Sequence, residues 1–287
     1  MTEKKEKVGE LNPLGEVQFD IRQVLNQAVE KHGAGQLAEA EVLYGQVLNA
    51  DPGHPDALRL LGVVQHQNGD NEAARGYIEK ALAVRPESVE ALSNLGLVLK
   101  ELEQYDGAIE NFEKALAINP NSADTHFNLG LTLQSLGRMT DAATSYRASL
   151  SLMPDSPDAL CKLGMVLQDL GELDAAVESY NKALTLKPDY IEALGHLGDI
   201  LHLQGRLEDV IASCDKALAI QPDLAEAHSN RGNALTKLGR LDEAVADQPH
   251  RQHRRYPGRQ NRRRNPPRTP VPGCGGGYME YTQAIPE

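Results

Sequence analysis

With 287 residues, 40% hydrophobic and 24% charged, the chain is long enough for one extended domain and too short for a large multidomain enzyme. No run approaches the roughly 18 apolar residues of a membrane span, and no apolar stretch of a signal peptide follows the N-terminal lysines, so a soluble cytoplasmic protein is expected. The three widely spaced cysteines, Cys161, Cys214 and Cys274, suggest neither a disulfide framework nor a metal site, and a core without Trp and with 3 Phe suits packed helices better than a sheet.

Residues 1 to 20 carry a Lys/Glu cluster and Pro13 with little apolar periodicity and are expected to be disordered. From there a strict period of 34 residues takes over: Pro52, Pro86, Pro120, Pro154, Pro188 and Pro222 repeat on it, as do Gly62, Gly96, Gly130, Gly164, Gly198 and Gly232. Within a period the apolar residues follow helical spacing twice, as in Leu92, Leu95, Leu99 and then Ala108, Phe112, Ala115. Each repeat is therefore two short helices, and seven repeats begin near Ile21, Pro55, Val89, Ala123, Pro157, Ile191 and Ala225. Ser88, Ser122 and Ser156 stand where a hydroxyl caps the first helix, and Gly69, Gly137, Gly171, Gly205 and Gly239 where a left-handed residue ends it. The mid-helix glycines at Gly62 and its equivalents cost roughly 1 kcal/mol each against alanine. They recur with a small Ala in the second helix, so close approach of the two backbones is the expected compensation. The first repeat has Ala28 in place of the glycine; the sixth has Val210 and Cys214 in place of Ala and an aromatic, and looser packing is expected there.

Leu95-Gly96, Ala108, Phe112, Ala115 and Pro120, and again Leu163-Gly164, Ala176, Tyr180, Ala183 and Pro188, resemble the signature of the tetratricopeptide repeat (TPR) family over about residues 21 to 247. The resemblance implies an all-α, right-handed solenoid of about seven helix pairs, with the first helices lining a concave groove. One helix pair cannot bury both its apolar faces, so stability must come from stacking.

The seventh repeat is cut short. Pro249 stops its second helix, which is expected to leave Ala234, Leu235 and Leu238 without cover. Residues 248 to 287 hold eight Arg against Glu280 and Glu287, together with seven Pro and only eight apolar residues, so the body is near −18 and the tail near +6. Three readings of the tail compete: an arm for nucleic acid or an acidic partner, a solvated disordered segment, or a shift of reading frame near Gln248. The abrupt change of composition in mid-helix favours the last. The acidic body argues against nucleic acid as its ligand, and aromatic groups are too few beside the tail arginines for more than weak binding there.

No active site is evident and no cofactor is implied. The glycines around Cys274 follow no strand and precede no helix, so they form no phosphate loop. His126 and His228 recur at one helix position and read as satisfied or exposed side chains. The acids Asp56, Glu90, Asp124, Asp158, Glu192 and Glu226 complement the dipoles of the first helices and leave a negative row at one rim, which suits a neutral to basic partner. Two residues before the helical glycine stand Asn26, Leu60, Asn94, Asn128, Lys162, His196 and Asn230. Asn is a poor helix former, so its recurrence has either a structural cause, a bond to a neighbouring helix, or a functional one. A carboxamide donates and accepts at once and could grip an extended peptide backbone whatever its sequence. Asn94, Asn128, Asn230, Lys162 and His196, with Phe127 and Met165 as apolar contacts, form the expected peptide-binding groove. Arg59 is followed one turn later by Val63, so no clamp for a chaperone C-terminus is expected.

The ladder is similar to that of O-linked N-acetylglucosamine transferases, and the first repeats resemble bacterial relatives of that group. Two readings follow: a non-catalytic protein-interaction scaffold, or the targeting region of a truncated glycosyltransferase without its catalytic domain.

Overall fold

The computed structural model describes residues 20–246. The expectations for the N-terminal segment before Asp20 and for the tail, including the three readings of it, lie outside the described residues. Among these, fourteen helices follow one another with no strand between them: α1 (Ile21–Gly33), α2 (Leu37–Ala50), α3 (Pro55–Gln67), α4 (Asn71–Val84), α5 (Val89–Glu101), α6 (Tyr105–Ile118), α7 (Ala123–Ser135), α8 (Met139–Leu152), α9 (Pro157–Asp169), α10 (Leu173–Leu186), α11 (Ile191–Leu203), α12 (Leu207–Ile220), α13 (Ala225–Lys237) and α14 (Leu241–Ala246). The chain divides into two compact parts, one ending at Thr132 and the other beginning at Leu133.

The helix ends follow from local chemistry. The hydroxyl oxygens of Ser88, Ser122 and Ser156 each accept a bond from the backbone N–H three residues on, at 3.3 Å, satisfying one of the free donors of the first turn. Asp20 does the same for α1, accepting from the N–H groups of Arg22 and Gln23. After each first helix one residue turns left-handed. The five expected glycines do so with φ between 71 and 85°, Gly35 adds a sixth site, and in the third repeat the same place is held by Glu103 at φ 59°. A side chain there is strained by about 1 kcal/mol or more.

The glycine of the first helix makes room chiefly for a ring. A Cβ at Gly96 would lie 2.6 Å from Phe112, one at Gly164 2.7 Å from Tyr180, and one at Gly62 2.6 Å from Ile78. The expected partner, the small Ala of the second helix, comes close only at Gly62, where the Ala74 carbonyl oxygen would be 3.1 Å away. So the close approach serves the eighth residue of the second helix: Phe112 and Tyr180 are fully buried. The sixth repeat is looser, as expected: with Cys214 in the ring's place, a Cβ at Gly198 would meet nothing within 4 Å.

Each part then stacks pair upon pair. Glu41 of α2 accepts from the Gln65 side-chain amide of α3 at 2.8 Å, Arg85 reaches back to Asp56 at 3.2 Å, and in the C-terminal part Tyr190 donates to Asp158 at 2.9 Å and Gln204 to Asp174 at 3.0 Å.

The two ends differ. At the third, seventh and tenth positions α5 buries Ala91, Leu95 and Val98, and α9 buries Ala159, Leu163 and Val166; α1 has Gln23, Gln27 and Glu30 there, all exposed. The first repeat thus begins with a capping helix of polar outer face, which solenoids need to stay soluble. At the other end, Ala234 and Leu235 are buried and Leu238 is half-buried, where a bare face was expected. What lies open is further along: Leu241 is 58% and Val245 75% exposed.

Candidate functional site

The ladder two residues before the helical glycine divides into members with different surroundings. In α5, Asn94 is only 7% exposed, and its side-chain Nδ2 is buried without a hydrogen-bond partner. An orphaned buried donor costs about 1–3 kcal/mol. Beside it, the hydroxyls of Ser93 and Thr125 meet at 3.1 Å and Ser122 closes on Thr125 at 2.8 Å, which ties α5 to α7. Asn128 of α7 is buried to the same degree, its backbone oxygen accepting from Thr132 at 2.8 Å. Leu97, Phe127 and Leu131 are half-buried, presenting apolar surface near the two carboxamides' positions on their helices.

In the C-terminal part the same positions are occupied internally. Lys162 donates to Glu192 of the next first helix at 2.8 Å and lies 3.7 Å from the Met165 sulfur. The His196 ring stacks on Tyr180, centroids 5.8 Å apart and planes 14° from parallel. The Asn230 amide donates to Asp199 at 3.1 Å. So Lys162 and Asn230 link neighbouring repeats, the structural alternative for this ladder, while Asn94 has no such bond from its amide nitrogen. Asn26 is exposed and Leu60 half-buried.

The pairings of Lys162 with Glu192 and of Asn230 with Asp199 escaped the sequence reading. Asp199 could have been found: among the residues after the helical glycine, Val63, Leu97, Leu131, Met165, Asp199 and Asn233, it is the acidic one. The acidic row is also weaker than its count, since Asp56, Asp158 and Glu192 are engaged by Arg85, Tyr190 and Lys162.

Burial first, then the Glu192 carboxylate, push the Cys161 thiol up to about 12, so it stays protonated and unreactive at neutral pH. His126 and His228 each touch the carbonyl of the repeat's closing proline, Pro120 at 3.0 Å and Pro222 at 2.9 Å. His32 is buried between the Tyr44 hydroxyl at 3.4 Å and the Gln67 side-chain oxygen at 2.9 Å. Among the described residues no cluster of three or more His, Cys, Asp or Glu could hold a metal ion, and no helix is long and apolar enough to cross a membrane. An open cleft of about 650 Å³ between α1 and α2, lined by Gln27, Lys31 and Val42 among others, contains no ladder residue.

Helix pairs of 34 residues in tandem, with a ring packed over the helical glycine in the third and fifth of them, define an all-α repeat protein. Sequence models of the tetratricopeptide repeat match residues 31–97 and 123–156, and one of the TPR repeat matches 98–137, 166–205 and 198–239. The chain belongs to the tetratricopeptide repeat family, whose members are protein-interaction scaffolds. Among solved structures it is similar to MamA (28% identity over 56% of this chain and 94% of that one, TM-score 0.53). It shares its fold with PilF of Pseudomonas aeruginosa (19% identity, 74% and 97% covered, TM-score 0.66) and with YrrB (23%, 64% and 95%, TM-score 0.56).

Proposed function

We propose that the chain is a non-catalytic scaffold that binds an extended peptide segment in the groove of its first helices, anchored on Asn94 and Asn128 with Leu97, Phe127 and Leu131 as apolar floor. The observation that carries this reading is the buried, unpartnered Nδ2 of Asn94. The terminal torsion of a carboxamide is soft, so a half-turn exchanges its donor and acceptor ends, and a peptide carbonyl could satisfy what the protein leaves unsatisfied. YrrB, whose fold this chain shares, is a TPR protein with an unusual peptide-binding site; peptide binding is carried to this chain on the ladder's chemistry. Lys162 and Asn230 are bonded to Glu192 and Asp199 and His196 stacks on Tyr180, so the anchoring is assigned to Asn94 and Asn128 alone. The partial neutralisation of the acidic row leaves a neutral to basic segment as the preferred ligand.

The test is a random peptide library selected on the full chain, with affinities read by fluorescence anisotropy. Replacing Asn94 and Asn128 by Ala removes up to two hydrogen bonds each, at roughly 0.5–1.5 kcal/mol apiece, so binding should weaken by about tenfold or more. Asn230→Ala should leave it unchanged. A double variant that binds the selected peptide normally and melts several degrees lower would refute the proposal.

A further inference from the structure

The two asparagines of the N-terminal part are spaced to suit one backbone conformation in a ligand. Asn94 and Asn128 are each the sixth residue of their helix, α5 and α7, and each is 7% exposed. The two helices touch directly, because the hydroxyls of Ser93 and Thr125, on two of the shortest polar side chains, meet at 3.1 Å. Axes of helices packed in this way lie about 8–10 Å apart, so the carboxamides recur at about that step. The orphaned Nδ2 of Asn94 then sets a demand: an acceptor from the ligand, and an equivalent group presented in the same direction one step further on.

A β-strand does not meet it. Its carbonyls point the same way at every second residue, about 7 Å apart, or at every fourth, about 13 Å apart. A polyproline II helix does, since three residues make one turn and advance about 9.3 Å, which returns every third carbonyl to the same side. It has no internal hydrogen bonds either, so those carbonyls are available. The side chains around the two asparagines repeat with the same step. Leu97 and Leu131, ninth on α5 and α7, and Phe127 form half-buried apolar surface of the kind on which proline rings pack. Glu90 and Asp124, second on the same helices, are exposed. At the sixth position of α3 stands the half-buried Leu60, so the step before Asn94 is an apolar one.

Resting on the peptide reading above, we propose that the ligand is a proline-rich segment in polyproline II form, read three residues at a time, one turn to each repeat. One carbonyl meets Asn94 and the carbonyl three residues away meets Asn128. A basic side chain at every third residue faces Glu90 and Asp124, and proline rings lie on Leu97, Phe127 and Leu131.

Three fluorescein-labelled 12-residue peptides of equal charge test this by anisotropy on the full chain. One is four Pro-Pro-Lys triplets, the second has the same composition with its lysines irregularly spaced, and the third is four Val-Thr-Lys triplets, which favour the β conformation. The regular proline peptide loses little freedom on binding and should bind about tenfold or more tighter than the Val-Thr-Lys peptide, and severalfold tighter than the irregular one. Its affinity should fall by about tenfold or more when Asn94 and Asn128 are both replaced by Ala. No binding of the regular proline peptide, or no preference for it over either control, would overturn the proposal. If the Val-Thr-Lys peptide binds best and its affinity falls in the double variant, the polyproline II form is refuted and the peptide reading stands. If no affinity changes in the double variant, the peptide reading falls as well. The comparison of the three peptides needs only the unaltered chain, so it decides the matter even if the double variant does not fold.

Discussion

Alanine at two equivalent glycines, Gly164 and Gly198, should have opposite consequences. Both sit in the middle of a first helix, where alanine gains roughly 1 kcal/mol over glycine by propensity. At Gly198 nothing opposes that gain, because the new Cβ meets no atom within 4 Å and Cys214 is small. At Gly164 the Cβ would lie 2.7 to 2.9 Å from three atoms of the Tyr180 ring. That ring cannot slide away freely: Tyr180 is fully buried, its hydroxyl donates to Gln168 at 3.3 Å, and His196 stacks on its face. Overpacking of this kind costs about 1–3 kcal/mol, enough to cancel or exceed the propensity gain. The two variants should therefore differ by about 1–3 kcal/mol, with Gly198→Ala more stable than the parent. For a folded region of this size the difference corresponds to roughly 2–12 °C in Tm. Thermal and urea unfolding followed by circular dichroism would measure it. Equal shifts in the two variants, or a Gly198→Ala protein less stable than the parent, would refute the reasoning.

Further outcomes are expected. Burial, reinforced by Arg59 and opposed by the bond to Gln67, holds the His32 imidazole below its ordinary value of 6.5. The unfolded chain therefore takes up its proton first as pH falls, so this stability is complete above about pH 6.5 and declines below it by at most about 1.4 kcal/mol per pH unit. Urea midpoints at pH 7.5 and 5.5 would show the decline, and His32→Phe should remove that part of it. Glu103→Gly relieves a positive φ and should stabilise by about 1 kcal/mol, measured by the same unfolding curves. Asn94→Leu removes the orphaned donor and should raise stability by about 1 kcal/mol while weakening binding of a selected peptide less than the double variant does, whereas Asn230→Leu breaks the bond to Asp199 and should destabilise by roughly 0.5–1.5 kcal/mol. Cys161 should resist maleimide at pH 7 until the chain is unfolded, as mass spectrometry of the labelled protein would report.

The helices were legible because their causes are local. Serine caps, left-handed glycines and the 3.6-residue period all act within a few positions, so the boundaries near Val89 or Pro157 could be read directly. The identity of the glycine's partner was less accessible, since Ala108 and Phe112 lie on one face of the second helix and spacing alone does not say which of them reaches Gly96. The ladder was hardest. Whether a polar residue is free depends on what a neighbouring repeat places opposite it, and Lys162 finds Glu192 while Asn230 finds Asp199, about 30 residues away and at other helix positions. A column of equivalent residues therefore concealed unequal roles. The capping helix was visible in principle: Gln23, Gln27 and Glu30 break columns otherwise dominated by Ala, Leu and Val.

That polar face bears on how such an array can have grown. Repeats of this regularity arise by duplication, and a copy inserted between existing repeats finds apolar surfaces ready on both sides. A copy placed ahead of α1 would instead cover Gln23, Gln27 and Glu30 with a second helix that offers them no partners, at about 1–3 kcal/mol for each unsatisfied group and more if the carboxylate stays charged. Insertion between existing repeats is thus favoured over addition ahead of α1.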